Sequence, residues 1–335
     1  MEANLTQRRI EEILPQREDA LTCCMPRRGF SILLTGVVVW FALALQFKPQ
    51  TEEARAVTSA DFAPEIATPI LHQSRSSPLD LEIGGELAGV PPGAVRYVTR
   101  ADLLALPQVK YLVTDDANFT GATEVSGVLL EELTQRLSAA PKSDMVIAIC
   151  SDLYRSHYPQ AYVAEHRPLL VLEINGQPPE RWPKDSEGHG QAMGPFMISH
   201  AKFTPAYKIL SHAEEPQIPW GVVRLDFRDE KAVFDAIAPN GAYAADVRVQ
   251  AGYRIAQQNC LRCHNEGDEG GRKAGRPWEV LSAWATSSPA YFAAYVRDPQ
   301  GKNAKAKMPG NPGYDDATIH ALTEYFQNFS AEGNR

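Results

Sequence analysis

Cys260-Leu261-Arg262-Cys263-His264 sets two thiols three positions apart, with an imidazole directly after the second. That spacing suits haem: each thiol adds across one of the two vinyl groups, and the adjacent histidine reaches the iron. A zinc half-site would want a second pair of Cys or His at metal spacing, and the later histidine, His320, falls within a helical pattern instead. One covalent haem c is therefore expected, attached at Cys260 and Cys263, with His264 as an axial ligand of the iron. A sixth ligand is expected downstream, on a loop. Met308-Pro309-Gly310 lies in a stretch rich in Lys, Gly and Pro, where core packing explains a methionine poorly. Met308 is read as the second axial ligand, whose thioether raises the reduction potential relative to a second nitrogen. Lys302, Lys305 and Lys307 crowd the same loop. They read either as a solvated loop or as a positive ring near the haem edge that steers an acidic redox partner.

Such a site needs helices to hold it. Apolar positions recur at helical spacing over 247–259, 288–296 and 315–329. In the last of these Ile319, Leu322, Tyr325 and Phe326 share one face, and Asp315-Asp316 sit favourably at the N-terminus. An all-α domain over 245–335 follows. The preceding region, 95–238, reads as α+β. Its strand-like runs fall at 111–113, 145–150 and 169–174, the last followed by an Asn175-Gly176 turn signal. Its helix-like stretches are 99–106 and 127–137. Residues 48–94 mix Pro, Glu, Ser and Ala without periodicity and read as a linker closed by Pro91-Pro92-Gly93.

Residues 245–335 resemble a class I c-type cytochrome from end to end, through Gly252-Tyr253, the haem motif, Gly275-Arg276-Pro277, Met308-Pro309 and Tyr325. The resemblance implies that Gly252 and its aromatic neighbour pack against the last helix. It also implies that the Pro277 carbonyl accepts the ring N–H of His264, which orients that ligand and increases its basicity.

The middle domain distantly resembles the molybdopterin-binding domain of sulfite oxidase-type oxidoreductases. Gly127-Val128-Leu129-Leu130-Glu131-Glu132-Leu133 is similar to that family's G-x-x-L-x-x-L helix. Val146 to Cys150 followed by Ser151-Asp152-Leu153-Tyr154 is similar to its strand and D-x-Y turn, and Leu169 to Gly176 and Gly194 to Ile198 to the strands beyond. That family holds molybdenum through a cysteine upstream of the helix, and this chain has no cysteine between Cys24 and Cys150. The domain is thus expected to be a relative without molybdenum, with molybdopterin not expected and Cys150 a buried, inert thiol. The polar run from Ser151 to Pro159, with His166, His189 and His200 after it, offers a pocket or a docking surface. Its plainer reading is a hydrogen-bonded turn with locally satisfied histidines.

At 335 residues the chain has room for two folded domains. A net charge of −8 gives no basic surface for nucleic acid, and five cysteines are too few for a disulfide scaffold. Residues 29–47, GFSILLTGVVVWFALALQF, carry no charge and match the ~20 apolar residues that span a bilayer core of about 30 Å. Arg27 and Arg28 in front place the N-terminus in the cytoplasm. A cleaved signal ending near Ala42-Leu43-Ala44, or a twin-arginine signal at Arg27-Arg28-Gly29-Phe30, is the alternative; the long charged front favours an uncleaved anchor.

The expected architecture is multidomain: a cytoplasmic tail (1–28), a transmembrane helix (29–47), a linker (48–94), a molybdopterin-oxidoreductase-like α+β domain (95–238) and an all-α cytochrome c domain (245–335). The location that follows is a bacterial inner membrane crossed once, with the C-terminal domains in the periplasm. The function that follows is single-electron transfer between periplasmic or membrane redox partners, an electron carrier rather than a catalyst. Two rivals stand beside it: a molybdenum-dependent oxidoreductase with its own haem c acceptor, and a haem-linked redox or ligand sensor.

Overall fold

The computed structural model describes residues 68–137, 139–184 and 191–329. The expected tail, the apolar segment 29–47 and residues 48–67 of the expected linker lie outside them, as does His189. Among the described residues no helix is long and apolar enough to cross a membrane.

The middle region is built on a nine-stranded sheet. Its strands are β1 (Leu81–Gly85), β2 (Arg96–Val98), β3 (Val109–Val113), β4 (Thr123–Leu129), β5 (Met145–Cys150), β6 (Arg155–Pro159), β7 (Leu169–Ile174) and β8 (Phe196–Ser199). Two short strands, β9 (Lys208–Ile209) and β10 (His212–Ala213), form a separate hairpin before β11 (Trp220–Arg228) completes the large sheet. The order is β2-β1-β11-β8-β7-β4-β3, with β5 and then β6 branching from β11. The helices of this region are α1 (Arg100–Ala105), α2 (Leu130–Arg136), α3 (Gln160–His166) and α4 (Glu230–Asp235).

The runs read as strands at 145–150 and 169–174 are strands over those residues. Two expectations shift. The stretch read as linker already enters the sheet at β1, whose Leu81 and Ile83 are fully buried between β2 and β11. Its alternation is only two apolar residues long, too short to stand out among Pro, Glu and Gly. Residues 127–129, read as the start of a helix, end β4. Gly127 meets β7 so closely that a Cβ there would lie 1.9 Å from the Leu170 carbonyl oxygen. The glycine serves a close strand approach rather than a helix turn.

The C-terminal region is helical, as expected: α5 (Val247–Asn259), α6 (Trp278–Ser287), α7 (Pro289–Arg297), α8 (Pro299–Lys302) and α9 (Asp316–Gln327), with a two-residue hairpin of β12 (Asn265–Glu266) and β13 (Glu269–Gly270). The Asp246 carboxylate accepts the Arg248 and Val249 N–H groups and starts α5; Asp315 accepts from Thr318 and starts α9. The two helices cross at Gly252, where a Cβ would sit 2.1 Å from the Ala321 carbonyl oxygen. The Tyr253 and Tyr325 rings lie 5.8 Å apart at the same crossing. The packing role expected of Gly252 and its aromatic neighbour is what the structure shows.

Strand β5 explains how the two regions meet. Its sequence, MVIAIC, is apolar throughout because both its faces are covered. Val146, Ala148 and Cys150 belong to the core of the middle region, whereas Met145 and Ile147 belong to a second core with Trp278, Ile319, Leu322, Tyr325 and Phe326 of the helical region. The two regions therefore share this second core and lie within a single compact unit. Tyr325 adds a polar tie: its hydroxyl donates to the Ile237 carbonyl, just beyond α4, at 2.6 Å and accepts from Trp278 Nε1 at 2.8 Å.

Candidate haem-attachment site

Helix α5 runs directly into the haem motif. Cys260 closes the helix, its N–H donating to the Ala256 carbonyl. The Cys263 and His264 N–H groups then both donate to the Cys260 carbonyl, at 3.2 and 3.0 Å. One turn of backbone thus carries both cysteines and delivers His264 immediately after them. The following hairpin folds back over the motif. Gly271 donates to the Leu261 carbonyl at 2.8 Å, and a Cβ at Gly271 would lie 1.9 Å from the Arg262 carbonyl oxygen. Only glycine allows that approach.

Both thiols are free and partly buried. Burial pushes the Cys260 thiol up to about 12 and raises that of Cys263. The positive charge of Arg262 opposes this at both sulfurs, while the Glu215 carboxylate adds to it at Cys260.

His264 is buried, and its Nδ1 lies 2.8 Å from the Arg276 carbonyl oxygen. A carbonyl can only accept, so Nδ1 carries the proton and Nε2 keeps its lone pair. Burial moves this histidine toward the neutral form, against the pull of the Arg276 carbonyl. A neutral imidazole with one nitrogen anchored and the other unprotonated is what an iron ligand requires.

The partner of His264 is the Arg276 carbonyl, not that of Pro277 as expected. Pro277 is the N-cap of α6, and its carbonyl accepts the Val280 N–H at 3.0 Å within the first helical turn. That leaves the preceding carbonyl to face the imidazole. Arg276 is itself fixed by its guanidinium over the Trp284 ring, 5.1 Å from the centroid.

Met308 sits partly buried in the loop between α8 and α9, its carbonyl accepting from Gln300 Nε2 at 2.9 Å. Three residues on, Asn311 Oδ1 accepts from Asn259 Nδ2 at 3.0 Å, and the same amide donates to the Tyr314 hydroxyl at 2.8 Å. The Met308 loop is thereby tied to the residue preceding Cys260. Lys302, Lys305 and Lys307 on this loop are all exposed.

The haem turn also rests on the middle region, which its spacing did not announce. The Arg155 N–H donates to the Arg262 carbonyl at 2.9 Å, and the Arg272 N–H to the Leu153 carbonyl at 3.0 Å. Lys273 pairs with Asp152 at 2.7 Å and Arg228 with Glu269 at 2.5 Å. Leu153 adopts a left-handed backbone (φ 70°) at this seam, a conformation costly for a leucine and held by the contacts around it.

The polar groups of the middle region are gathered and largely pair with one another, while His157 Nε2, His200 Nδ1 and Gln217 Oε1 are buried without a hydrogen-bond partner. The Tyr162 hydroxyl accepts the Gln217 N–H at 2.8 Å and shares a second hydrogen bond with His200 Nε2 at 2.8 Å. His166 Nε2 meets Glu214 at 3.1 Å, and its ring stacks on Phe203. Burial pushes both His157 and His200 down to about 3. A recess of about 10 Å³ beside His200 and Asp116 has room for about one water. Cys150 is buried and its pKa is raised well above the ordinary thiol range by burial. It is the one thiol outside the haem turn among the described residues, it lies in a sheet strand, and its surroundings disfavour the thiolate that binds metal. Those residues do not fit a thiolate-held molybdenum.

Residues 247–326 match the family model described as cytochrome C oxidase, cbb3-type, subunit III. No curated protein matches the chain. Among solved structures, the sulfane dehydrogenase SoxCD from Paracoccus pantotrophus aligns at 18% identity over 47% of this chain with a TM-score of 0.31, a likeness too loose to decide the fold. The alignment spans 40% of that chain's length. The match over 247–326 and the geometry of the haem turn agree, and the C-terminal part of this chain is a c-type cytochrome domain, which implies haem c, joined to an α+β domain.

Proposed function

We propose that the chain is a membrane-anchored monohaem c-type cytochrome that passes single electrons between periplasmic or membrane redox partners. The observation that carries this reading is the turn from Cys260 to His264, with two cysteines in one turn of backbone and Nδ1 of His264 fixed on the Arg276 carbonyl. Haem held there supplies one-electron chemistry at its iron. The chain's own part is to fix that group and its surroundings. Cys260 and Cys263 attach it, His264 presents Nε2, and the loop from α8 to α9 offers Met308 as the second ligand. Lys302, Lys305 and Lys307 give that loop a positive face for an acidic partner.

A second reading, an oxidoreductase feeding its own haem, is favoured by the seat of the Ser151–Arg155 turn directly against the haem motif. Iron and molybdenum measured together in the purified protein separate the two. One equivalent of iron with no molybdenum supports the carrier. Stoichiometric molybdenum overturns it in favour of the enzyme. Met308→Ala should abolish the Met–iron absorption at the red end of the visible spectrum; survival of that band would remove Met308 as the ligand.

A further inference from the structure

Arg262 lies between the two haem cysteines, yet its side chain turns into the seam with the middle region. Its Nε donates to the Gln258 carbonyl at 2.6 Å, and its Nη1 lies 3.4 Å from Glu215 Oε2. The arginine side chain is 11% exposed and that of Glu215 41%. Guanidinium does not lose its proton in a protein, and a charge this far out of water is only weakly screened. Among its cationic neighbours in the seam, Lys273 pairs with Asp152 and Arg228 with Glu269, while Arg155 donates to the Asp268 carbonyl at 2.9 Å.

We propose that Arg262 is a positioning residue for electron transfer: held by Glu215 of the middle region, its fixed positive charge raises the reduction potential of the haem attached on either side of it. The inference rests on the haem reading given above. Oxidised iron carries one more positive charge than reduced iron, so a nearby cation disfavours the oxidised state and a nearby carboxylate favours it. The middle region then sets the potential of the cytochrome domain through one ion pair, without lending a ligand.

Redox titration of the full haem-loaded chain tests this. Arg262→Gln should lower the potential, Glu215→Gln should raise it, and Arg262→Lys should stay near the unsubstituted protein. Shifts of opposite sign distinguish charge from loosening, since opening the seam to water would move both Gln variants the same way. Equal-sign shifts, or none, overturn the proposal. Where Arg262→Gln does not accumulate, the half-exposed Glu215 decides alone: a raised potential supports the proposal and an unmoved one overturns it. Haem staining after denaturing electrophoresis separates the two layers. An unsubstituted chain with no covalent haem ends the carrier reading, whereas attached haem with an unmoved potential ends only the role of Arg262.

Discussion

The haem turn and the histidine cluster of the middle region are both buried gatherings of titratable side chains, and they differ in what each leaves over. In the turn, His264 anchors one nitrogen on a backbone carbonyl and keeps the other unprotonated, beside two free thiols. In the cluster, Tyr162 answers His200, Glu214 answers His166, and the recess beside them has room for about one water. The first presents its open valences, two thiols and one imidazole nitrogen, along one short turn; the second spends most of its polar atoms on one another and leaves His200 Nδ1 buried without a partner. Density of polar residues is therefore a weaker pointer to chemistry than reactive side chains presented together by one short stretch of backbone.

The sharpest test of that contrast removes the valences. Cys260→Ala with Cys263→Ala should abolish haem that survives denaturing electrophoresis, while His166→Gln or His200→Gln should leave it attached. Loss of covalent haem from the histidine variants would erase the distinction.

The next largest effect concerns the shared core. Ile147 is 1% exposed and faces the cytochrome helices from the sheet. Ile147→Ala should cost ~2–5 kcal/mol, and haem absorbance and far-ultraviolet dichroism should still melt together. Separate transitions would show that the two regions fold independently.

A smaller effect follows pH. His157 and His200 are held neutral in the fold, at about 3 against an ordinary 6.5. Between those values the unfolded chain binds protons that the folded chain refuses. Stability is complete above about pH 6.5 and is lost as the pH falls toward 3, by ~1.4 kcal/mol per unit for each group. Denaturant melts of His200→Gln should show a shallower decline between pH 6.5 and 4.5; an unchanged slope would mean that His200 takes up its proton without opening the fold.

The mildest perturbation is on the surface. Replacing Lys302, Lys305 and Lys307 together by Gln should slow reduction by an acidic redox partner roughly tenfold at low ionic strength and flatten its salt dependence. Stopped-flow rates that do not change would return the three lysines to the role of a solvated loop.

Much of the helical region was legible in the residue order, because its signals are local. The haem motif occupies five consecutive residues, Asp315-Asp316 stand at the start of the last helix, and the 3.6-residue spacing of Ile319, Leu322 and Phe326 marks one buried face. Gly252 was legible through resemblance, and the close crossing at Ala321 gives its physical reason. The partner of His264 was placed one residue late, since which of two successive carbonyls faces the ring depends on where α6 begins. Strand β1 was hidden because two apolar residues in a polar stretch carry too little pattern.

The sequence by itself determined the attachment chemistry, since covalent bonding to haem needs thiols and an imidazole at fixed spacing along one short turn. It also marked β5 as a strand, through a run of six apolar residues that suits a strand covered on both faces. Only the tertiary structure decided what covers the second face, and that Arg262, between the two cysteines, is turned toward Glu215. Those contacts join residues 47 or more positions apart. No local spacing encodes them, because they form only when the sheet and the helices close on a common core.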